Sequence, residues 1–208
     1  RCEVDFLITD PAAGIGAPGG PPGSGGGDGG GSSGGGDGTV VGTTTAILAP
    51  SDSANTQCLN LWNGTDNDAE PEGWSDPGYD SGWWPPAAQA FTSGGDFFSG
   101  TQPIWYSDGS ADGQWVLFRH EFDVPAVPEG SSISSAQLDV LVSNCTIDVF
   151  FNGGNLITGI SPGSPGWALN VTVNPGEANL IAISALASSD SAVYISYKLV
   201  VVYGGTSG

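Results

Sequence analysis

Positive charge is nearly absent from this chain. Only Arg1, Arg119 and Lys198 oppose 22 carboxylates, a formal net charge of −19 over 208 residues. Three cations cannot build a basic patch, which excludes binding to phosphate backbones or anionic lipid surfaces. Histidine occurs once, at His120, with no cysteine or second histidine beside it, so zinc-type spacing is missing. No apolar run is long enough to span a membrane. Sustained helical periodicity is missing too, and Val, Ile, Thr and aromatic residues fill the apolar runs, which implies an all-β protein. Methionine does not occur, and the chain opens on Arg1. Both features are expected of a mature exported product, extracellular or on the cell surface, whose signal peptide or pro-segment has been removed.

Cysteine is scarce but present. In an exported protein, three cysteines imply one disulfide and one leftover thiol. Cys58 and Cys145 fall in the folded part and Cys2 near the start, so an internal Cys58–Cys145 bond with Cys2 pairing between chains is expected. Three pairings stay open. The surplus of acid suits Ca²⁺ or a salty medium as well as plain solubility.

What is abundant is glycine, at 35 residues, with 15 prolines. From Gly14 to Gly38, 15 of 25 residues are glycine and three are proline, which leaves almost nothing able to enter a core. Ahead of this tether lies one strand-like segment, Cys2–Asp10. Cys2, Val4, Phe6 and Ile8 share one face of it, Glu3, Asp5, Leu7 and Thr9 the other, and Pro11 stops it. As a glycine-rich coil the tether reaches about 25–30 Å r.m.s., against a domain roughly 40 Å across. The arm is therefore able to fold back or to reach a neighbour.

The rest divides naturally: residues 1–11 form the arm, 12–39 the tether and 40–208 one folded domain. Strands are predicted at Val40–Leu48, Thr56–Trp62, Pro103–Tyr106, Gln114–Val124, Ala136–Val142, Thr146–Phe151, Trp167–Val173, Asn179–Ala187 and Ala192–Tyr203. Between them lie turn signals such as Asn152-Gly-Gly154 and Asn174-Pro-Gly176. Many short strands closed by such turns predict a two-sheet antiparallel jelly-roll sandwich. The stretch from Gly64 to Gly100 reads as a long loop, dense in Trp, Tyr, Pro and Asp, of the kind that is functional or covers a sheet.

Several motifs follow one another in a recognisable order: Asp76-Pro-Gly-Tyr-Asp80-Ser-Gly-Trp83, Ile104-Trp105 and Phe118-Arg-His-Glu-Phe122, then Val149-Phe-Phe-Asn-Gly153 and Pro175-Gly-Glu-Ala-Asn179. Over residues 55–203 this resembles the galactose-binding-like jelly-roll domains that accompany secreted bacterial glycosidases and surface proteins. The resemblance implies a fold more than an activity, and it leaves out the arm and the tether.

Arg119 is expected to pair with a carboxylate such as Asp80 and pin the loop to the sheet, with ligand recognition as the alternative reading. His120 is expected on the opposite face. Among the loop aromatics, Tyr79, Trp83 and Trp84 are candidates to stack on sugar rings. Core packing and a subunit interface are the competing readings. The resemblance places Trp83 and Trp105 in the packing of loop to core, and leaves Trp84, followed by two prolines, as the best exposed candidate. Asp66, Asp68 and Glu70 place oxygens at alternating positions, a possible calcium site; no other cofactor is required. Three glycosylation sequons begin at Asn63, Asn144 and Asn170, against about two expected by chance. Gly159-Ile-Ser161-Pro-Gly163 matches a nucleophile-elbow string without a strand-to-helix frame, so no catalytic residue is nominated and no enzyme is expected. The leading expectation is a secreted structural subunit that polymerises with copies of itself into a filament or pilus-like fibre. Val4, Phe6 and Ile8 of the arm would be donated to a neighbour's sheet. The alternative is a carbohydrate-binding module with its site on the aromatic loop.

Overall fold

A computed structural model describes residues 43–62, 66–90, 98–106, 111–127, 129–162, 166–190 and 192–205. The arm, the tether and the sequon at Asn63 lie outside the described residues. Eleven strands follow in chain order: β1 (Thr43–Leu48), β2 (Gln57–Asn60), β3 (Ala88–Gln89), β4 (Ile104–Trp105), β5 (Trp115–Asp123), β6 (Ser131–Ser143), β7 (Cys145–Phe151), β8 (Gly154–Ile160), β9 (Trp167–Asn170), β10 (Ala178–Ala187) and β11 (Tyr194–Gly205). They form two antiparallel sheets packed as a sandwich, as the jelly-roll expectation requires. Sheet A runs β3-β4-β11-β6-β9, with β1 beside β4 on the same flank of β11; sheet B runs β2-β5-β10-β7-β8.

Between the sheets lies one core. Trp105, Phe118, Leu138, Ile147, Ile181, Ile195 and Leu199 fill it from both layers. A second apolar cluster sits on the outer face of sheet B, where Leu117, Leu180 and Ala182 meet Trp74 and Trp84 of the long loop. This explains β10, whose residues are buried on both faces from Asn179 to Ala185. A strand covered on both sides reads as a continuous apolar run.

Turn chemistry fixes the hairpins. Asn152 and Gly153, with φ of 50° and 81°, form the two-residue link of β7 to β8, the left-handed pair that a tight hairpin demands. Asn179, fully buried, ties that hairpin to the next turn. Its amide donates to the carbonyls of Asn174 and Glu177 at 3.0 Å, and its oxygen accepts from Asn174 N at 2.9 Å and Asn152 Nδ2 at 3.0 Å. Asn152 Oδ1 in turn accepts from Leu180 N at 2.8 Å.

β6 is the longest strand and is unevenly paired. β11 accompanies it along its whole length, but β9 pairs only with Gln137–Val140. Ser131–Ser135 therefore has a strand on one side alone among the described residues. A register shift against Val202 and Tyr203 passes over Ser134 and keeps Ile133 turned toward the core alongside Ala136 and Leu138.

Candidate functional site

The outer face of sheet B is organised by one cation. β5 alternates, so Phe118 and His120 enter the interlayer core while Arg119 stands on the opposite face, as its position predicts. Arg119 is 1% exposed. Its guanidinium donates to the backbone carbonyls of Trp74, Asp76 (3.2 Å) and Tyr79 (3.5 Å), and to Glu121 Oε1 at 2.7 Å. It also lies 5.4 Å from the centre of the Tyr79 ring. Arg119 thus pins the loop, but not through Asp80. That carboxylate turns back to accept from Gly82 N at 3.0 Å, while the loop offers the fork its carbonyls.

Around this anchor the cover is tightly seated. Trp74 Nε1 donates to Glu70 Oε2 at 3.1 Å, and Ser184 Oγ donates to Glu70 Oε1 at 3.1 Å while accepting from Trp115 Nε1 at 2.7 Å. A side chain at Gly153 would come 3.0 Å from Asp76 Oδ1 and 3.3 Å from Pro77 Cδ, so the loop is seated closely on the hairpin there.

The three loop aromatics part company. Trp84 is 3% exposed and packs edge-on to Tyr79 at 5.9 Å, so it is a core residue and not the exposed one. Trp83 is 63% exposed, correcting its expected place in the packing of loop to core. Tyr79 is half-buried beneath Arg119. In an irregular loop no periodicity assigns neighbouring tryptophans to faces; here Trp84 occupies the apolar cluster and Trp83 is left in solvent. Trp105 is buried, as expected, with its Nε1 donating to Gln114 Oε1 at 2.9 Å.

The proposed calcium ligands do not converge. Glu70 is engaged by Trp74 and Ser184, and Asp66 Oδ1 accepts from Asn67 N at 2.9 Å. Among the described residues no group of three acids, histidines or cysteines gathers as a metal site. A basin of about 510 Å³ does open beside them, lined by Asp66, Asn67, Trp115, Asp148, Ser184 and Leu186. Of the other sequons, Asn170 is exposed on β9, and Asn144 sits half-buried at the β6–β7 turn with φ of 51°.

Cys58 and Cys145 are free thiols, both buried, so the expected disulfide is not formed. They lie on β2 and β7 of one sheet with β5 and β10 between. Three strand spacings across the sheet and a four-residue offset along it, Cys58 aligning through Phe118 and Ile183 with Val149, put them about 19 Å apart, beyond the reach of a disulfide. Burial pushes each thiol up to about 12, so neither is a nucleophile at neutral pH. His120 joins a buried chain in which Tyr197 Oη meets His120 Nδ1 at 3.1 Å and Thr56 Oγ1 at 2.9 Å. Burial lowers its pKa to about 4, with the charge of Asp52 pulling the other way.

Sheet A carries the second feature. The last bond between β6 and the chain leaving β9 is Val171 N to Ala136 O at 3.1 Å. Beyond it the two diverge, and Ser131–Ala136 with Val127, Val171, Val173 and Pro175 line a groove of about 520 Å³. Among the described residues no charged side chain lines it. Sequence reasoning missed it, because four serines in five residues carry no strand signal.

No protein-family model matches the chain, and no curated protein is similar to it. Among solved structures, the GH31 alpha-xylosidase from Xanthomonas citri shows a partial likeness to it. The match has 10% identity and a TM-score of 0.30, covering 45% of this chain and 12% of that enzyme. At that level neither family nor activity transfers.

Proposed function

We propose that this protein is a structural subunit of an extracellular filament or pilus-like fibre, in which residues 2–10 of one copy add as a strand to the sheet of another. The observation that carries this reading is that the described residues by themselves build a two-sheet sandwich around one core. Both sheets and the core between them are built from strands lying between Thr43 and Gly205. An alternating apolar segment on a long glycine tether outside that sandwich has the sequence pattern of a strand that augments another copy's sheet. The domain in this reading is a galactose-binding-like jelly roll, with the Arg119-pinned loop, the Asn152-Gly153 hairpin and the Asn179 turn as its structural signatures. Its partners are copies of itself, it needs no cofactor, and it carries no catalysis. A head-to-tail contact of this kind does not close on itself and propagates as a fibre.

Negative-stain electron microscopy of the full chain and of a form lacking residues 1–10 tests the reading. Fibres are expected from the first and folded monomers from the second; fibres from both would sink it. The exposed Trp83 beside half-buried Tyr79 favours a second reading, a carbohydrate-binding module. Monomers from both forms, with polysaccharide binding that Trp83→Ala abolishes, would establish that one instead.

A further inference from the structure

We infer that the acceptor for the arm is the unpaired edge of β6 at Ser131–Ser135, and that its occupant is the Cys2–Asp10 segment of a second copy. This rests on the filament reading and names its contact surface.

The edge fits an added strand in length, lining and charge. Among the described residues, Ser131–Ser135 is paired by β11 on one side alone, which leaves main-chain donors and acceptors on the other side for a new neighbour. Five residues span about 13 Å, the same length as Val4 to Ile8 in extended form. The groove beside the edge is walled by Val127, Ile133, Val171 and Val173, an apolar trough for a strand whose alternate residues are Val4, Phe6 and Ile8. Exposed edges are ordinarily guarded by lysine, proline, an inward charge or a bulge. Ser131–Ser135 has no charge and no proline, and carries only the bulge at Ser134. Charge complementarity supports the same choice. The arm carries Glu3, Asp5 and Asp10 on a chain of net charge −19, so a lining without carboxylates avoids the repulsion that the Asp66 and Asp148 basin would impose.

The tether is long enough for the arm to reach a neighbour. Thr43 pairs with Gly204, and Gly204 pairs with Ser132, so the tether joins the domain about two strand spacings, or 10 Å, from the groove. Residues 11–42 separate arm from domain, and a glycine-rich coil of that length reaches about 30 Å r.m.s.. That reach allows a return to the same groove and, with the coil drawn out beyond its r.m.s. length, also spans to a neighbouring domain roughly 40 Å across; the second copy as occupant follows from the filament reading.

Photo-crosslinking tests the assignment on the full chain, with a benzophenone amino acid in place of Phe6 and isotope-labelled subunits mixed with unlabelled ones before assembly. Crosslinks are expected between labelled and unlabelled chains, in peptides holding 131–136 or 171–175. Crosslinks on the outer edge of β1 or on β8 would overturn the groove while leaving an arm-joined fibre intact. Crosslinks confined within single chains would overturn the second copy as occupant. A paired variant, Ser135→Glu with Thr172→Glu, places two charges at exposed positions of the groove. It is expected to raise the concentration needed for assembly about tenfold or more with an unchanged melting temperature. Unchanged assembly by this folded variant would overturn the groove, whereas fibres from the form lacking residues 1–10 would overturn the filament reading itself.

Discussion

His120 shows how one buried side chain sets a pH limit for the fold. Its ring sits between Tyr197 and Phe122 and is held neutral, with its pKa lowered to about 4 against 6.5 for an ordinary histidine. The unfolded chain therefore binds a proton at a higher pH than the folded one. The contribution of this site is fully present above about pH 6.5 and is lost as the pH falls toward 4, by on the order of 3 kcal/mol in all. Urea denaturation of the protein and of His120→Gln at pH 7.5 and pH 4.5 separates this from the titration of the many carboxylates. The stability gap between the two is expected to narrow at the lower pH, and a constant gap would show that the ring is not held neutral. At the same scale lie the residues that sequence could not assign. Trp83 and Trp84 are chemically alike and adjacent, and only the shape of the loop separates them. Cys58 and Cys145 looked like partners because both fall in the folded part of the chain, but strand order within one sheet holds them apart.

Among the elements, the strands with alternating or β-branched runs were legible, β5, β7, β10 and β11 almost to the residue. β8 was not, because Gly154, Asn155, Thr158 and Gly159 break up the apolar pattern of Leu156, Ile157 and Ile160. The first half of β6 was not either, since its serines are extended by pairing with Val202–Gly205 of β11 and not by their own preference. The long loop was legible as a cover, but the manner of its attachment was not: Arg119 holds backbone carbonyls, which any sequence presents. Arg119→Met would leave those carbonyls buried without a donor, and it is expected to cost about 2–4 kcal/mol and to expose residues 70–84 to proteases. Arg119→Lys should rescue little, since a point ammonium cannot serve three carbonyls arrayed around a planar fork. Chemical denaturation with limited proteolysis reads both effects; wild-type stability in the methionine variant would mean that Arg119 does not anchor the loop.

At the scale of the whole molecule the acidity returns as a constraint on assembly. Each copy brings a net charge of −19 to the next, and the Debye length shortens from about 30 Å in 10 mM salt to about 8 Å at physiological strength. Elongation followed by light scattering is expected to accelerate severalfold across that range, and a rate that falls with salt would mean that attraction between charges drives the contact. The position of Thr43, one row across from Ser132 through Gly204, carries a mechanical consequence. In a fibre joined as proposed, tension enters each domain along β1 and leaves along the edge of β6, with β11 between. The load path is only three strands wide, sheared across ladders whose bonds bear the force together. The rest of the sandwich hangs beside that path unloaded, and extension under pull comes first from the glycine tether.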